Sequence, residues 1–169
     1  MTAKEQIIEA FLKLLTHKHF EELYVKDIVA EARISRSTFY LHFTDKFELL
    51  DEVRNQLNGQ FLKFYTGQSE AYSVTDHICK HIYTHQSFYK REFSNAVAIH
   101  QLSDQLAAYM HQVYKDPDYA IFASYGTIGY LSAWVNSDFQ KSPSEAAEKL
   151  MKIGFTNWTE NLTFEENKR

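Results

Sequence analysis

Residues 34–46, ISRSTFYLHFTDK, bring hydroxyl, cationic and aromatic side chains together in an order that suits hydrogen bonding. Arg36 can donate two N–H groups to one guanine edge, Ser37 can bond to a base or a phosphate, and the Thr38 methyl can pack on a thymine methyl. The segment contains no glycine, so it does not resemble a phosphate-binding catalytic loop. Residues of these types favour contact with nucleotide edges.

A short helix is needed to present these groups on one side. Ser35 is well placed to cap its start, and Phe39 and Phe43 recur one turn apart, so both rings should face inward over Ile34. The opposite side, with Thr38 at its margin, then carries Arg36, Ser37, Tyr40 and His42.

Two earlier helices are indicated by capping and periodicity. Thr2 and Glu5 form a capping-box pattern, and apolar residues follow at helical spacing at Ile8, Phe11, Leu12 and Leu15. A second apolar stripe consists of Val25, Ile28, Val29 and Ala32. Only Arg33 and Ile34 separate this stripe from Ser35, which is the spacing of a helix-turn-helix.

Two lysines flank the proposed reading helix. Asp45 and Glu48 predict the start of a fourth helix, which places Lys46 in its first turn, within reach of the DNA backbone. Lys26 begins the second helix and could hold a flanking phosphate. The alternative is that all these polar residues are solvated side chains on short surface helices.

Residues 25–50, VKDIVAEARISRSTFYLHFTDKFELL, resemble the helix-turn-helix signature of TetR-family transcriptional regulators, above all in FYLHF and DKFELL. The resemblance implies a dimer whose third helices enter successive major grooves of a palindromic operator. The positions that match the DNA contacts of the family are Lys26, Arg36, Ser37, Thr38, Tyr40, His42 and Lys46, and we add the capping residue Ser35.

Two residues depart from the family pattern. The family often has glycine where this chain has Arg33, and a left-handed conformation there would cost a non-glycine residue about 1 kcal/mol. It often has serine or threonine at the position of Tyr24, so the second helix is expected to lack a side-chain cap. Neither departure changes the predicted reading surface.

The remaining residues predict further helices. A long fourth helix should run from Phe47 to about Thr66, followed by a connection at 67–73 and helices at about 74–90, 95–114 and 119–139. Ser142, Pro143 and Glu145 announce a last helix, which should extend to about residue 161 before a frayed tail. The predicted fold is all-α, with a DNA-binding domain at 1–46 and a helical regulatory and dimerisation domain at 47–169.

The last two helices are expected to form the dimer interface, as the family resemblance implies. Small residues in SYGTIGYLSAW would allow a partner backbone to approach closely, although a core helix within one subunit would have a similar composition. The predicted interface residues are Phe122, Gly126, Gly129, Tyr130, Ala133, Leu150, Ile153 and Trp158.

Three histidines lie four residues apart, at His77, His81 and His85. Imidazoles at this spacing can share a metal ion, but the row lies in an apolar arc, so packing or pocket lining is the preferred interpretation and no metal is predicted. For a planar or apolar effector, the predicted pocket residues are His81, His85, Phe88 and Tyr125.

Composition excludes several classes of protein. A net charge of −4 argues against a generally basic nucleic-acid coat, and the single Cys79 fits a reducing cytoplasm. Neither a signal peptide nor a membrane helix is predicted, and no catalytic motif or cofactor motif is present, so an enzyme is not expected.

The sequence therefore predicts a soluble, cytoplasmic, homodimeric repressor that binds double-stranded DNA and is released by a small-molecule effector. Three alternatives stay open: an activator or adaptor whose C-terminal domain binds a protein, a metal-responsive regulator, and a helical ligand- or metal-binding module whose DNA face is vestigial.

Overall fold

The computed structural model describes residues 1–66 and 71–154, and within these ranges every regular element is helical. Short 3-10 turns occur at Phe20–Glu22 and Phe64–Thr66. The α-helices of the described ranges are α1 Ala3–Leu15, α2 Val25–Ala32, α3 Arg36–Tyr40, α4 Lys46–Lys63, α5 Ala71–Thr84, α6 Gln86–Glu92, α7 Ala96–Tyr114, α8 Pro117–Asn136 and α9 Pro143–Gly154. The prediction of an all-α fold is confirmed.

Local capping sets where several helices begin. The Glu5 backbone N–H donates to the Thr2 hydroxyl at 3.2 Å, and the Thr2 N–H donates to the Glu5 carboxylate at 2.6 Å. Ser142 and Glu145 repeat this reciprocal pair at the start of α9. Such pairs satisfy N–H groups that have no partner inside the helix, so sequence alone located these starts correctly.

Helices α1, α2 and α3 pack together as the N-terminal unit. Ile7, Phe11, Ile28 and Phe39 are fully buried within it, and Phe20 from the connection between α1 and α2 is 3% exposed. The Phe20 ring meets the Phe11 ring edge-on at a centroid distance of 6.1 Å. The connection is thus fixed to the core by an aromatic side chain.

Arg33 ends α2 in the left-handed conformation, with φ 56° and ψ 41°. In this conformation the Ile34 N–H donates to the Val29 carbonyl at 3.1 Å, which closes the helix end. The expected left-handed turn is confirmed, although the residue is not glycine. The second expected departure also holds, since Tyr24 provides no side-chain cap and Asp27 instead accepts the Tyr24 N–H at 3.0 Å.

The predicted helix at 74–90 is two helices, so this prediction is wrong. The backbone leaves the helical region at His85, with φ −109° and ψ 35°, and this bend separates α5 from α6. Phe88 and Tyr89, which follow the bend on α6, are both buried. Helix α6 thereby packs against α1.

In the C-terminal half, α7 pairs with α8 and α5 pairs with α9. Helix α4 joins this half to the N-terminal unit, and its Leu49, Val53, Leu57 and Phe61 belong to one buried cluster that spans both. The core does not break at residues 46 and 47, so the proposed boundary stays a prediction. The predicted end of α9 near residue 161 lies outside the described residues.

Among the described helices, none combines the length and apolar character needed to cross a bilayer.

Replacement of Arg33 by glycine should raise the free energy of unfolding by about 0.5–1 kcal/mol, because glycine adopts positive φ without steric strain. Urea denaturation followed by circular dichroism would measure the change. The matched control is Ala30→Gly, at an exposed position inside α2, which should lower the same quantity by about 1 kcal/mol. Equal losses in both variants would contradict strain at Arg33.

Candidate nucleic-acid interface

Two phenyl rings anchor the segment that was predicted to read DNA. Phe39 is fully buried, Phe43 is 3% exposed, and their ring centroids lie 5.9 Å apart. Helix α3 ends at Tyr40, so Phe43 lies beyond it in a turn closed by the Phe43 N–H on the Phe39 carbonyl at 3.0 Å. The prediction that one helix carries both rings is wrong, but the turn keeps both rings facing inward.

Ser35 is the cap of α3 and the centre of a hydroxyl cluster. Its Oγ accepts the Thr38 N–H at 3.0 Å and lies 2.7 Å from the Ser37 Oγ and 2.8 Å from the Thr38 Oγ1. These bonds already occupy the Ser35 side chain. Ser35 therefore orders its neighbours, and its hydroxyl has little hydrogen-bonding capacity left for DNA.

The outward side of α3 is polar and accessible. Arg36, Ser37 and His42 are exposed, Tyr40 is 48% exposed, and Thr38 is partly buried at the margin. The Arg36 Nη2 lies 3.4 Å from the Tyr40 hydroxyl, and its guanidinium carbon lies 6.0 Å from the Tyr40 ring centroid. Tyr40 thus limits the freedom of Arg36, which lowers the ordering cost of a base contact.

Sequence reasoning missed Leu41, which is 82% exposed. It immediately follows the last residue of α3 and lies between the buried rings of Phe39 and Phe43 in sequence. A leucine directed at water has no internal packing role, and on this face its methyl groups can meet a thymine methyl. The sequence held one indication of this: Leu41 lies two residues from both Phe39 and Phe43, so it should face away from the side on which their rings are buried.

Lys26 is exposed at the start of α2, as predicted, and its Nζ lies 5.4 Å from the centroid of the Tyr24 ring. Tyr24 is itself 59% exposed. The pair presents a cation and a phenol at the edge of the N-terminal unit, which suits a phosphate contact.

Lys46 occupies a different place from the one predicted. Its ammonium donates to the carbonyls of Phe20, Glu21 and Leu23 at 2.9, 3.1 and 2.8 Å. All three of its N–H donors therefore have acceptors on the turn between α1 and α2. The prediction that Lys46 reaches the DNA backbone is corrected: the side chain binds this turn to the start of α4.

Nearby carboxylates are engaged in capping. Asp45 caps α4 by accepting the Phe47 and Glu48 N–H groups at 2.8 and 2.9 Å. The Thr44 N–H lowers the pKa of Glu48, and the Tyr24 N–H lowers the pKa of Asp27. The lowered pKa keeps both carboxylates ionised, and their charge lies against backbone N–H groups at the starts of α2 and α4.

The four predicted pocket residues do not converge on one cavity, so the predicted pocket is wrong. His81 is buried, with its Nε2 2.9 Å from the Tyr89 hydroxyl and 3.2 Å from the Leu57 carbonyl. Tyr125 is exposed on α8 and donates to Asp104 at 2.7 Å. Phe88 is 1% exposed, and it lines, with His85, a small cleft against α1.

The histidine row packs as aromatic rings. His77 stacks on Phe64 at 5.7 Å, and His81 meets His85 edge-on at 5.0 Å. Burial, with a smaller contribution from His85, lowers the pKa of His81 to about 4, so this ring is neutral at physiological pH. Within residues 1–66 and 71–154, no group of three His, Cys, Asp or Glu side chains is arranged to hold a metal ion.

A groove of about 840 Å³ lies between α4 and α7. Most of its lining residues have polar side chains, although apolar atoms form about half of its surface; the lining consists of Asp51, Arg54, Asn55, Asn58, Gly59, Leu62, Ala98, Gln101, Asp104, Gln105, Ala108, Tyr109 and Gln112. Asn58 is 9% exposed, and its Oδ1 has no hydrogen-bond partner. This lining differs from the aromatic pocket that the sequence suggested.

One side of α8 carries most of the predicted dimer residues. Phe122 is 67% exposed, and the small residues Gly126, Gly129 and Ala133 are exposed beside it, whereas Tyr130 and Ile153 are partly buried. Leu150 is 8% exposed in the core of its own subunit, so the prediction that it supplies interface area is corrected. Trp158 lies outside the described residues.

Comparison with known families gives two matches. The family model described as "Bacterial regulatory proteins, tetR family" matches residues 7–53. A second model, described as "Transcriptional regulator C-terminal region", matches residues 69–155, which is just over half of the chain.

The uncharacterized HTH-type transcriptional regulator YxbF of Bacillus subtilis (strain 168) is 24% identical over 173 residues, covering 90% of this chain. The chain spans 44% of the length of that relative.

Solved structures that share the fold include two regulators. A transcriptional regulator (TerR/AcrR family) from Aquifex aeolicus VF5 is 18% identical with a TM-score of 0.71, covering 91% of this chain and 100% of that chain. The dihydroxyacetone kinase operon activator DhaS is 16% identical with a TM-score of 0.72, covering 89% of this chain and 93% of that chain.

Replacement of Lys46 by alanine should lower the free energy of unfolding by about 1–3 kcal/mol, because three carbonyls of the turn lose their donor. Chemical denaturation of both variants would measure this. Lys26→Ala, which removes an exposed cation of the same charge, should change stability by less than about 0.5 kcal/mol. Equal stability of the two variants would contradict the structural role of Lys46.

Proposed function

The chain belongs to the TetR family of bacterial transcriptional regulators, and from this premise we propose that it is a homodimeric repressor of transcription. It binds a palindromic DNA operator and is released when a small molecule occupies its C-terminal half. The family consists of regulators of transcription rather than enzymes, which agrees with the absence of catalytic motifs from the sequence.

The outward side of α3 is the observation that carries this proposal. Arg36 is the best candidate for a bidentate contact with guanine, and Ser37, Thr38 and His42 offer further hydrogen bonds to bases or phosphates. Leu41 adds an apolar contact for a thymine methyl. Lys26 and Tyr24 at the edge of the unit provide the positioning contact with a phosphate.

A dimer is proposed because a single five-residue helix reads too few base pairs for useful specificity. Two copies related by a twofold axis can place their α3 helices in successive major grooves, about 34–36 Å apart. The exposed side of α8 suits this contact, since glycines at Gly126 and Gly129 let a partner helix come close and Phe122 supplies apolar area.

The groove between α4 and α7 is the proposed effector site. The unpartnered Oδ1 of Asn58 and the neighbouring amides favour a polar ligand with hydrogen-bond donors over a planar apolar one. A ligand that prefers a different separation of these helices would shift the population away from the arrangement that fits DNA.

A second candidate is an activator or adaptor that docks a protein through the C-terminal half. Two observations favour it: the structurally similar DhaS is an operon activator, and further apolar residues of α7 and α8 are exposed. Tyr114 is 55% exposed and Ile121 is 54% exposed near the turn between α7 and α8. Transcription from the bound promoter, measured in vitro with and without the protein and with no effector or other partner added, would show whether it represses or activates.

Arg36→Ala should reduce discrimination at one base pair of the operator by about 1–3 kcal/mol, because a bidentate contact is lost. Gel shifts with the DNA upstream of its own gene, and with single-base variants of the bound site, would measure the change at a fixed salt concentration. Lys149→Ala, which removes one exposed positive charge from α9, is the matched control and should keep the preference. An unchanged base preference in Arg36→Ala would show that Arg36 does not contact a base.

Gly129→Arg should convert the dimer to monomers without unfolding the subunit. A Cβ at Gly129 meets nothing within 4 Å in the isolated subunit and the position is exposed, so an arginine there can extend into the space that a partner would occupy. Sedimentation equilibrium would give the mass, and operator binding should fall with it. Ala30→Arg, which adds the same side chain at an exposed position of α2, should stay dimeric. A dimeric Gly129→Arg protein would place the interface elsewhere.

A further inference from the structure

We propose that Arg91 and Glu92, consecutive residues of α6, are positioning residues for DNA binding. Arg91 contacts the turn between α1 and α2, and Glu92 binds Arg54 of α4. The inference rests on the proposed function and names the contacts through which the C-terminal half sets the orientation of the N-terminal unit.

Arg91 reaches the N-terminal unit through an aromatic ring. Its guanidinium carbon lies 4.4 Å from the Phe20 ring centroid, and the Lys46 ammonium lies 4.7 Å from the same centroid. Two cations from α6 and α4 therefore contact the ring that anchors the turn. The Arg91 Nη2 also lies 4.0 Å from the Glu21 carboxylate of that turn.

Glu92 makes the contact with α4. Its side chain is 5% exposed and accepts two hydrogen bonds from Arg54 of α4, from Nε at 2.7 Å and from Nη2 at 3.1 Å. Arg91 Nη1 donates to the same carboxylate at 3.2 Å. A two-pronged pair of this kind fixes both direction and distance between α4 and α6.

One hydrogen-bond donor of Arg91 has no acceptor. The Arg91 Nε is buried without a hydrogen-bond partner, which weakens the docked position relative to a fully bonded one. Arg54 also lines the groove between α4 and α7, so a change at the groove alters the partner of Glu92. Arg54 therefore links the groove to the carboxylate that orients α6 against α4.

Arg91→Met tests the proposal in the full chain, because methionine keeps apolar contact with Phe20 but removes the cation. Binding to the upstream DNA, measured by fluorescence anisotropy, should weaken about tenfold. The slope of log affinity against log salt should not change, because Arg91 is not assigned a phosphate contact. Arg91→Lys should recover part of the affinity.

Lys90→Met is the matched control on the same helix, since it also removes one positive charge and Lys90 pairs with Asp138 instead of the turn. It should bind DNA as the wild type does. Hydrogen exchange should speed up in Arg91→Met at the Glu22 and Leu23 N–H groups, which close the turn, while α7 and α8 keep their protection.

Wild-type affinity in Arg91→Met would overturn the inference alone, as would faster exchange throughout the protein, which would indicate general destabilisation. A smaller salt slope would also overturn it, because that result assigns Arg91 to a phosphate. Failure of the folded wild type to bind its upstream DNA would overturn the proposed function, and this inference with it.

Discussion

Burial of Phe39 and Phe43 is the constraint on which the proposed DNA-binding surface depends. A helix of five residues has little stability of its own, because nucleation fixes several dihedral angles for few hydrogen bonds. The two rings supply the orientation that the helix cannot, and the cap by Ser35 fixes its start. Arg36, Ser37 and Tyr40 are accessible as a consequence of where these rings are held.

The same unit solves an electrostatic problem. The chain has a net charge of −4, yet the carboxylates beside the reading surface accept backbone N–H groups at helix starts, as Asp45 and Glu48 do. Lys46 is used inside the unit, where it fixes the turn between α1 and α2. The cations left for nucleic acid are few, which fits recognition at a focused surface rather than general binding to DNA.

How far sequence reasoning reached depends on the range of the interaction involved. The starts of α1 and α9 and the left-handed Arg33 were predicted because neighbours in sequence determine them. The place of Lys46 was not, since its acceptors lie more than twenty residues away and no local pattern reports them. The bend at His85 and the separation of Tyr125 from His81 likewise follow from packing between distant helices.

The bend at His85 also explains why α6 can contact two units. A helix that continued through His85 would follow one straight axis from α5. The bend sets α6 against α1, so Arg91 meets Phe20 while Glu92 meets Arg54. Arg54 is at once a wall of the groove and the partner of Glu92, so a ligand in the proposed effector site would contact the residue that holds α6 against α4. Coupling between the groove and α6 then requires only that a ligand favour one arrangement of Arg54 over another.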